Sequence, residues 1–311
     1  MIDLAARQRQ IVETPEVKRR RLKAALRHER EAASLSQKQV SEALDWSVSK
    51  IIRIEAGAVG LSATDLRALM DLYKIADEKR RAELTELARG SRKQSWSEYS
   101  DVYSVAARTL FGYEAAARAI YKYEPTFIPG LLQTEEYARA LLQGAGHSED
   151  EIERMVTGRL ERQELLEQSP RPQLEFILGE AAVSRAVGGP GVMLHQLERL
   201  KDLARRPDIS LQILLFDAGA HPRMGEAFTI LEFADENLDD LIYLENAGRE
   251  SVSREDPELV VAYRKDFVSL QGLATPGSDF AKVIDKIAAT RLAHAGKFEV
   301  INDGEAMRTR K

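Results

Sequence analysis

Between residues 36 and 57 the chain reads SQKQVSEALDWSVSKIIRIEAG, and its apolar positions recur at helical spacing. Val40, Ala43 and Leu44 line one face, and Ile51 and Ile54 line a second after the break at DWS, which predicts two short helices. Ser36 and Ser47 stand where a hydroxyl accepts from a free first-turn amide, and Gly57 stands where a helix stops. The tight turn between them points Trp46 inward, and the second helix is left with Val48, Ser49, Lys50, Ile52 and Arg53 outward.

Further along, ATDLRALMDLYKI closes a helical region, and the polar stretch after it reads as a connecting helix and linker. Beyond Trp96 the period changes. Ile120 to Tyr123 alternate and run into Pro and Gly, which predicts a strand and a turn. RPQLEFILGEAAV, ISLQILLF, AFTILEF and DDLIYLE predict further strands. Between and after them, TEEYARALLQGAG, SEDEIERMVTGRLERQELLEQ, PGVMLHQLERLKDLARRP, DPELVVAYRKDFVSLQGLA and PGSDFAKVIDKIAATRLA predict helices. This irregular interleaving predicts an all-α N-terminal domain followed by an α+β C-terminal domain. The expected division is an N-terminal tail over 1–16, a helix-turn-helix domain over 17–76, a linker helix over 77–95, an α+β domain over 96–290 and a C-terminal tail over 291–311.

Composition narrows the picture modestly. The 311 residues include no cysteine, which excludes disulfides and thiolate metal sites and fits a reducing cytosol. No apolar run reaches membrane-helix length and no signal-peptide core follows the charged first residues, so a cytoplasmic protein, nucleoid-associated when on DNA, is expected. The net charge of −5 is unevenly spread. Residues 1–60 hold twelve Lys and Arg against eight Asp and Glu, and the remaining 251 hold 33 against 42. A basic head on an acidic body suggests that the head alone meets phosphate.

Candidate chemistry is sparse. No G-x-x-x-x-G-K or H-E-x-x-H run is present, and the five histidines (His28, His147, His195, His221, His294) share no ligand spacing. Gly188 to Gly191 reads as a turn before a helix, and His221 with Glu226 as a polar hairpin loop before a pocket wall. In PTFIPGLLQ, Phe127, Ile128, Leu131 and Leu132 read as core before interface. An enzyme is not expected, nor any cofactor or metal. Lys18 to Arg21 (KRRR) is open between a solvated helix start and phosphate contacts. On pattern alone the 36–57 hairpin is equally open between a DNA reader and a helical pair with a solvated face.

Resemblance decides that choice. LSQKQVSEALDWSVSKIIRIEAG resembles the phage-repressor (xenobiotic-response-element) class of helix-turn-helix, over a five-helix unit from about Val17 to Ile75. The resemblance implies that Gln37 and the start of its helix touch phosphate. It implies base-edge contacts from the start of the recognition helix, at Val48, Ser49 and Arg53, with Lys50 near base or backbone and the cap Ser47 among the DNA-binding residues. It also implies a structural ion pair between Arg30 and Glu55. Ser34 and Asp45 stand where the class favours glycine, at turns that require positive φ, which costs about 1 kcal/mol.

EPTFIPGLLQTEEYARALL, RLERQELL, VGGPGVMLHQLERLKDLARRPDISLQILLFDAGAHPRMGEAFTILEF and IYLEN, within about Trp96 to Ala288, resemble a C-terminal domain of unknown function. That domain follows such a helix-turn-helix in antitoxin-like, WhiJ-like actinobacterial regulators. The resemblance implies a homodimeric repressor on a near-palindromic operator in double-stranded DNA, controlled by a small protein encoded by an adjacent gene, or by a ligand. The alternative is an antitoxin module that neutralises the small partner and binds DNA only for autoregulation. AGRESVSREDPELV departs from the resemblance, being more polar and less strand-like than the strand expected there.

Overall fold

The computed structural model describes residues 13–57, 60–168, 171–235, 238–246, 249–252 and 256–292. Most of both expected tails, and His294, lie outside these residues. The chain divides into two compact units, each of which is described by itself. One comprises Met1–Ser100, Ser104–Ala117 and Phe233–Asp239, and the other Asp101–Tyr103, Arg118–Glu232 and Asp240–Lys311.

The first unit is helical. Its elements are α1 (Pro15–Ala32), α2 (Gln37–Leu44), α3 (Val48–Glu55), α4 (Ala63–Leu72), α5 (Glu78–Gly90) and α6 (Val105–Ala116). Thr14, Ser36, Ser47, Ser62, Asp77 and Ser104 each cap the following helix through a side-chain oxygen. Such a bond satisfies an amide that the first turn leaves free. Ser36 and Gln39 complete a reciprocal capping box. The core joins Leu22 and Leu26 of α1, Val40 of α2, Ile51 and Ile54 of α3, Leu66 and Leu69 of α4, and Leu84 and Leu87 of α5. Ala43, an apolar member of the α2 repeat, is exposed.

The boundary differs from the sequence reading. The segment expected as a linker is α5, and it closes the helical core because Leu84, Leu87 and Ala88 fall on one buried face. Residues 96–100 and α6 also belong here. The Trp96 ring stands edge-on to Phe111 at 5.5 Å, and Glu16 is wholly buried, accepting from Ser95 N at 3.1 Å and from Ser95 Oγ at 2.6 Å. A Cβ at Gly112 would meet the Glu16 carboxylate, so glycine there lets that side chain keep its place. The hydrophobic pattern did not predict α6, because it buries residues around most of its circumference and has no polar stripe to mark its period.

Each cation of the KRRR run has a partner within the chain. Lys18 pairs with Glu13 at 3.4 Å, and Arg19 donates to the Ser91 carbonyl at 2.8 Å. Arg20 is buried and donates to the Asp239 carbonyl at 2.7 Å, with Tyr113 and Phe233 beside its guanidinium. Arg21 bonds Asp235 at 2.6 Å and also Glu13. All four cations therefore brace the helical unit. Acceptors brought close by the fold, some of them distant in sequence, engage these side chains.

The second unit is α+β. Among the described residues six strands, β1 (Ala119–Glu124), β2 (Gln173–Gly179), β3 (Ile209–Leu214), β4 (Ala227–Glu232), β5 (Leu241–Asn246) and β6 (Arg249–Val252), form one mixed sheet in the order β3-β2-β1-β4-β5-β6. β1, β2 and β3 run parallel, while β4, β5 and β6 are antiparallel neighbours beyond β1. The parallel connections pass through α7 (Glu135–Gly144) with α8 (Glu149–Gln163), and through α9 (Glu180–Ser184) with α10 (Gly189–Ala204). α11 (Pro257–Leu273) and α12 (Phe280–Ile287) follow the sheet.

Tyr123, Ile177, Leu214, Phe228, Ile230 and Ile242 form one core cluster with Val260, Tyr263, Phe267 and Leu270 of α11. α10 and α12 also pack on β3. Burial of most positions along β4 and of the second half of β2 explains why these strands read as apolar runs and do not alternate. Ile128, Leu131 and Leu132 of the PTFIPGLLQ stretch are core, and Gly188 turns into α10 with φ 73. Two readings need correction. EAAV leaves β2 as part of the short helix α9. The polar AGRESVSREDPELV stretch does hold a strand, β6, because register with β5 (Tyr243 opposite Val252, Asn246 opposite Arg249) supplies a backbone ladder that side-chain composition does not reveal.

Candidate nucleic-acid interface

α2 and α3 form the helix-turn-helix. The turn between them needs a left-handed residue, and Asp45 takes it with φ 52 and ψ 43; Ser34 does the same after α1 with φ 58. Trp46 is half-buried against the helical core. α3 starts at its cap, where Ser47 Oγ accepts from Lys50 N at 3.1 Å, and ends before Gly57 at φ 66.

Within α3 the buried face carries Ile51, Ile54 and Glu55, and the exposed face carries Val48, Ser49, Ile52 and Arg53. Arg30 Nε bonds Glu55 Oε1 at 2.6 Å and Arg30 Nη2 bonds Oε2 at 3.1 Å, with both side chains nearly excluded from water. Arg30 also donates to the Leu35 carbonyl at 2.8 Å. The hydrogen bonds from its guanidinium to Glu55 hold Arg30 above its ordinary value despite burial. Burial, with the Glu55 charge nearby, also pushes the Tyr73 hydroxyl up.

Gln37 enters the same network, its Nε2 donating to Glu55 Oε2 at 2.9 Å. That bond fixes the amide at the start of α2 and uses one of its two N–H donors. Lys50 is placed differently from the other recognition-helix candidates. Its ammonium pairs with Asp65 of α4 at 2.9 Å and lies 3.5 Å from the centre of the Trp46 ring. Burial alone would raise Asp65, yet hydrogen bonds from Lys50 and Ser62 hold it below the usual carboxylate range. Lys50 therefore ties α3 to α4. The resemblance put Lys50 near base or backbone; its pair with Asp65, fifteen residues on, has no local spacing that announces it.

The structure thus brings Ser47, Val48, Ser49 and Arg53 to one exposed face, with Gln37 at the start of the preceding helix. Ile52, outward in the sequence pattern but left out of the expected contacts, is 48% exposed on the same face. Such a surface, on the second helix of a compact helical unit, is the arrangement that enters a major groove.

The second unit offers a different kind of site. Lys122, Glu124 and Glu245 cluster inside it: Lys122 Nζ lies 2.9 Å from Glu245 and 3.6 Å from Glu124. Glu124 is wholly buried, and its Oε2 has no hydrogen-bond partner. Desolvation pushes Glu124 up, with the Lys122 charge opposing. Half-buried Arg159 of α8 bonds buried Gln133 and the Tyr103 hydroxyl, and desolvation lowers it. In the loop before β4, Glu226 accepts from Tyr263 at 2.9 Å and from Arg223 at 3.2 Å, while the His221 ring stands edge-on to Tyr123. Glu226 is engaged in a bracing network that also ties Arg223 to Asp266 at 2.8 Å.

Fold and exposed face together define a helix-turn-helix protein with an appended α+β domain, the build of a DNA-binding regulator. Comparison with known families agrees. A helix-turn-helix domain profile matches residues 21–84, and a domain of unknown function (DUF5753) matches residues 107–286. The second match covers more than half of the chain, which belongs to the DUF5753 family. No curated protein and no solved structure matches it. Among the described residues, no helix is long and apolar enough to cross a membrane.

Proposed function

We propose that this chain is a sequence-specific transcriptional repressor that controls its own operator. The exposed face of α3 carries the reading: Val48, Ser49 and Arg53 stand clear of the core while Ser47 and Gly57 fix the helix ends. Gln37, at the start of α2, supplies a phosphate contact in this reading, and Arg53 reaches a guanine edge. A homodimer places two copies of α3 about 34 Å apart on a near-palindromic site. The second unit receives a small protein encoded nearby, or a small ligand, and transmits its presence to DNA affinity.

The acidic balance of residues 61–311, 33 cations against 42 anions, favours a second reading. There the main task is to neutralise a small protein partner, and DNA binding serves autoregulation alone. One experiment addresses both. The purified chain is titrated onto the DNA upstream of its own gene across a salt series, with and without the product of the adjacent small gene. Tight binding with a steep salt slope, changed by the small protein, supports a partner-controlled repressor. Absence of specific binding at every salt concentration removes it in favour of the neutralising module.

A further inference from the structure

The exposed face of α3 is divided lengthwise. At about 100° per residue, Val48 and Ile52 follow one edge, and Ser49 and Arg53 follow the other. Val48 is 40% exposed and Ile52 48%, and among the described residues from 13 to 100 they are the only large apolar side chains so exposed. The neighbouring cation that could have made this edge polar is turned away, since Lys50 is held by Asp65 and Trp46. Arg53 is exposed, with no bond to another described residue, on the far edge.

Two adjacent branched side chains facing water at the centre of a candidate groove-reading surface require an apolar counterpart. Phosphate and sugar do not provide one. In the major groove the apolar group on a natural base edge is the C5-methyl of thymine. Four helical residues advance roughly 6 Å, close to two base steps of about 3.4 Å each. We propose that Val48 and Ile52 read the methyl groups of two thymines in each half-site, about two steps apart, with Arg53 set for a guanine beside them. The proposal rests on the reading of the chain as a DNA-binding regulator and names the chemistry its recognition helix selects.

The test uses the full chain and the tightest duplex it selects from a random-sequence pool. Each thymine in the duplex is replaced singly by deoxyuridine, which deletes the methyl and keeps the hydrogen-bonding edge. Two positions per half-site should each weaken binding by roughly fourfold, the effect of one buried methyl. Val48→Ala should abolish the sensitivity at one position and Ile52→Ala at the other, with the salt slope unchanged because phosphate docking is intact. If every deoxyuridine duplex binds like its parent, the methyl reading is overturned and the DNA-binding reading stands. If no sequence is enriched from the pool, both fall. If the duplexes are insensitive and Val48→Ala instead changes self-association, the edge belongs to a protein contact and the proposal is overturned.

Discussion

Glu55 holds Arg30 through two hydrogen bonds and Gln37 through a third, so one carboxylate joins three helices of the reading unit. Removing it leaves a guanidinium buried without its main counter-charge. Glu55→Ala should therefore destabilise the helical unit by about 3–5 kcal/mol, measured as a shift in its urea midpoint, while Glu55→Gln keeps a hydrogen-bond acceptor and should lose less. Arg53 is a contrasting case, exposed and structurally idle. Arg53→Ala should leave the urea midpoint unchanged, weaken cognate binding by about 1–3 kcal/mol, and relax specificity at one base pair. A competition titration with single-base variants of the operator checks this. Unchanged specificity would misplace the recognition helix. The left-handed residue Ser34 is a third local case: at φ 58 it has no side-chain reason to adopt that region. Ser34→Gly should raise stability by about 0.5–1 kcal/mol, read in the same unfolding experiment.

At the scale of elements, the orientation of α3 depends on a cation held between an aromatic ring and α4. Asp65 titrates below the ordinary carboxylate range when folded, so its contribution to stability is present above the unfolded value and disappears as pH falls through the folded one. Stability of the helical unit should therefore drop on acidification below about pH 4. Asp65→Asn should flatten that part of the profile and lower stability at pH 7 by at most about 1 kcal/mol, since the pair is partly solvated. A profile of equal steepness in the variant would show that Lys50 is held by Trp46 alone.

The molecule as a whole carries its charge unevenly, and its second unit encloses Lys122, Glu124 and Glu245 together. Glu124 has its folded value raised by desolvation, so the native state binds the proton more tightly than the unfolded chain. Stability should then fall as pH rises out of the ordinary carboxylate range through that folded value. Glu124→Gln removes this slope and leaves Glu245 to hold Lys122. Its melting temperature should exceed the parent's at pH 8 by about 2–4 °C for each kcal/mol recovered. A variant less stable than its parent at pH 8 would instead make the Glu124 charge a net support for Lys122.

Much of this architecture could be read along the chain. Serine caps, three- and four-residue apolar spacing and the turn at Asp45 marked α2 and α3, because helix ends and helix faces are set by residues within one or two turns of each other. The parallel strands β2 and β3 appeared as short apolar runs, and β1 as an alternating one, for the same kind of local reason. What the sequence could not express was partnership at a distance. α6 has no polar stripe, and β6 is a strand through its ladder to β5. Arg20 and Arg21 look like surface cations until Asp239 and Asp235 arrive from more than two hundred positions away. The pairing of Lys50 with Asp65 and Trp46 is likewise absent from the local pattern. A side chain's type states which bonds it can make, but only the folded chain determines which acceptors lie within about 3 Å of it.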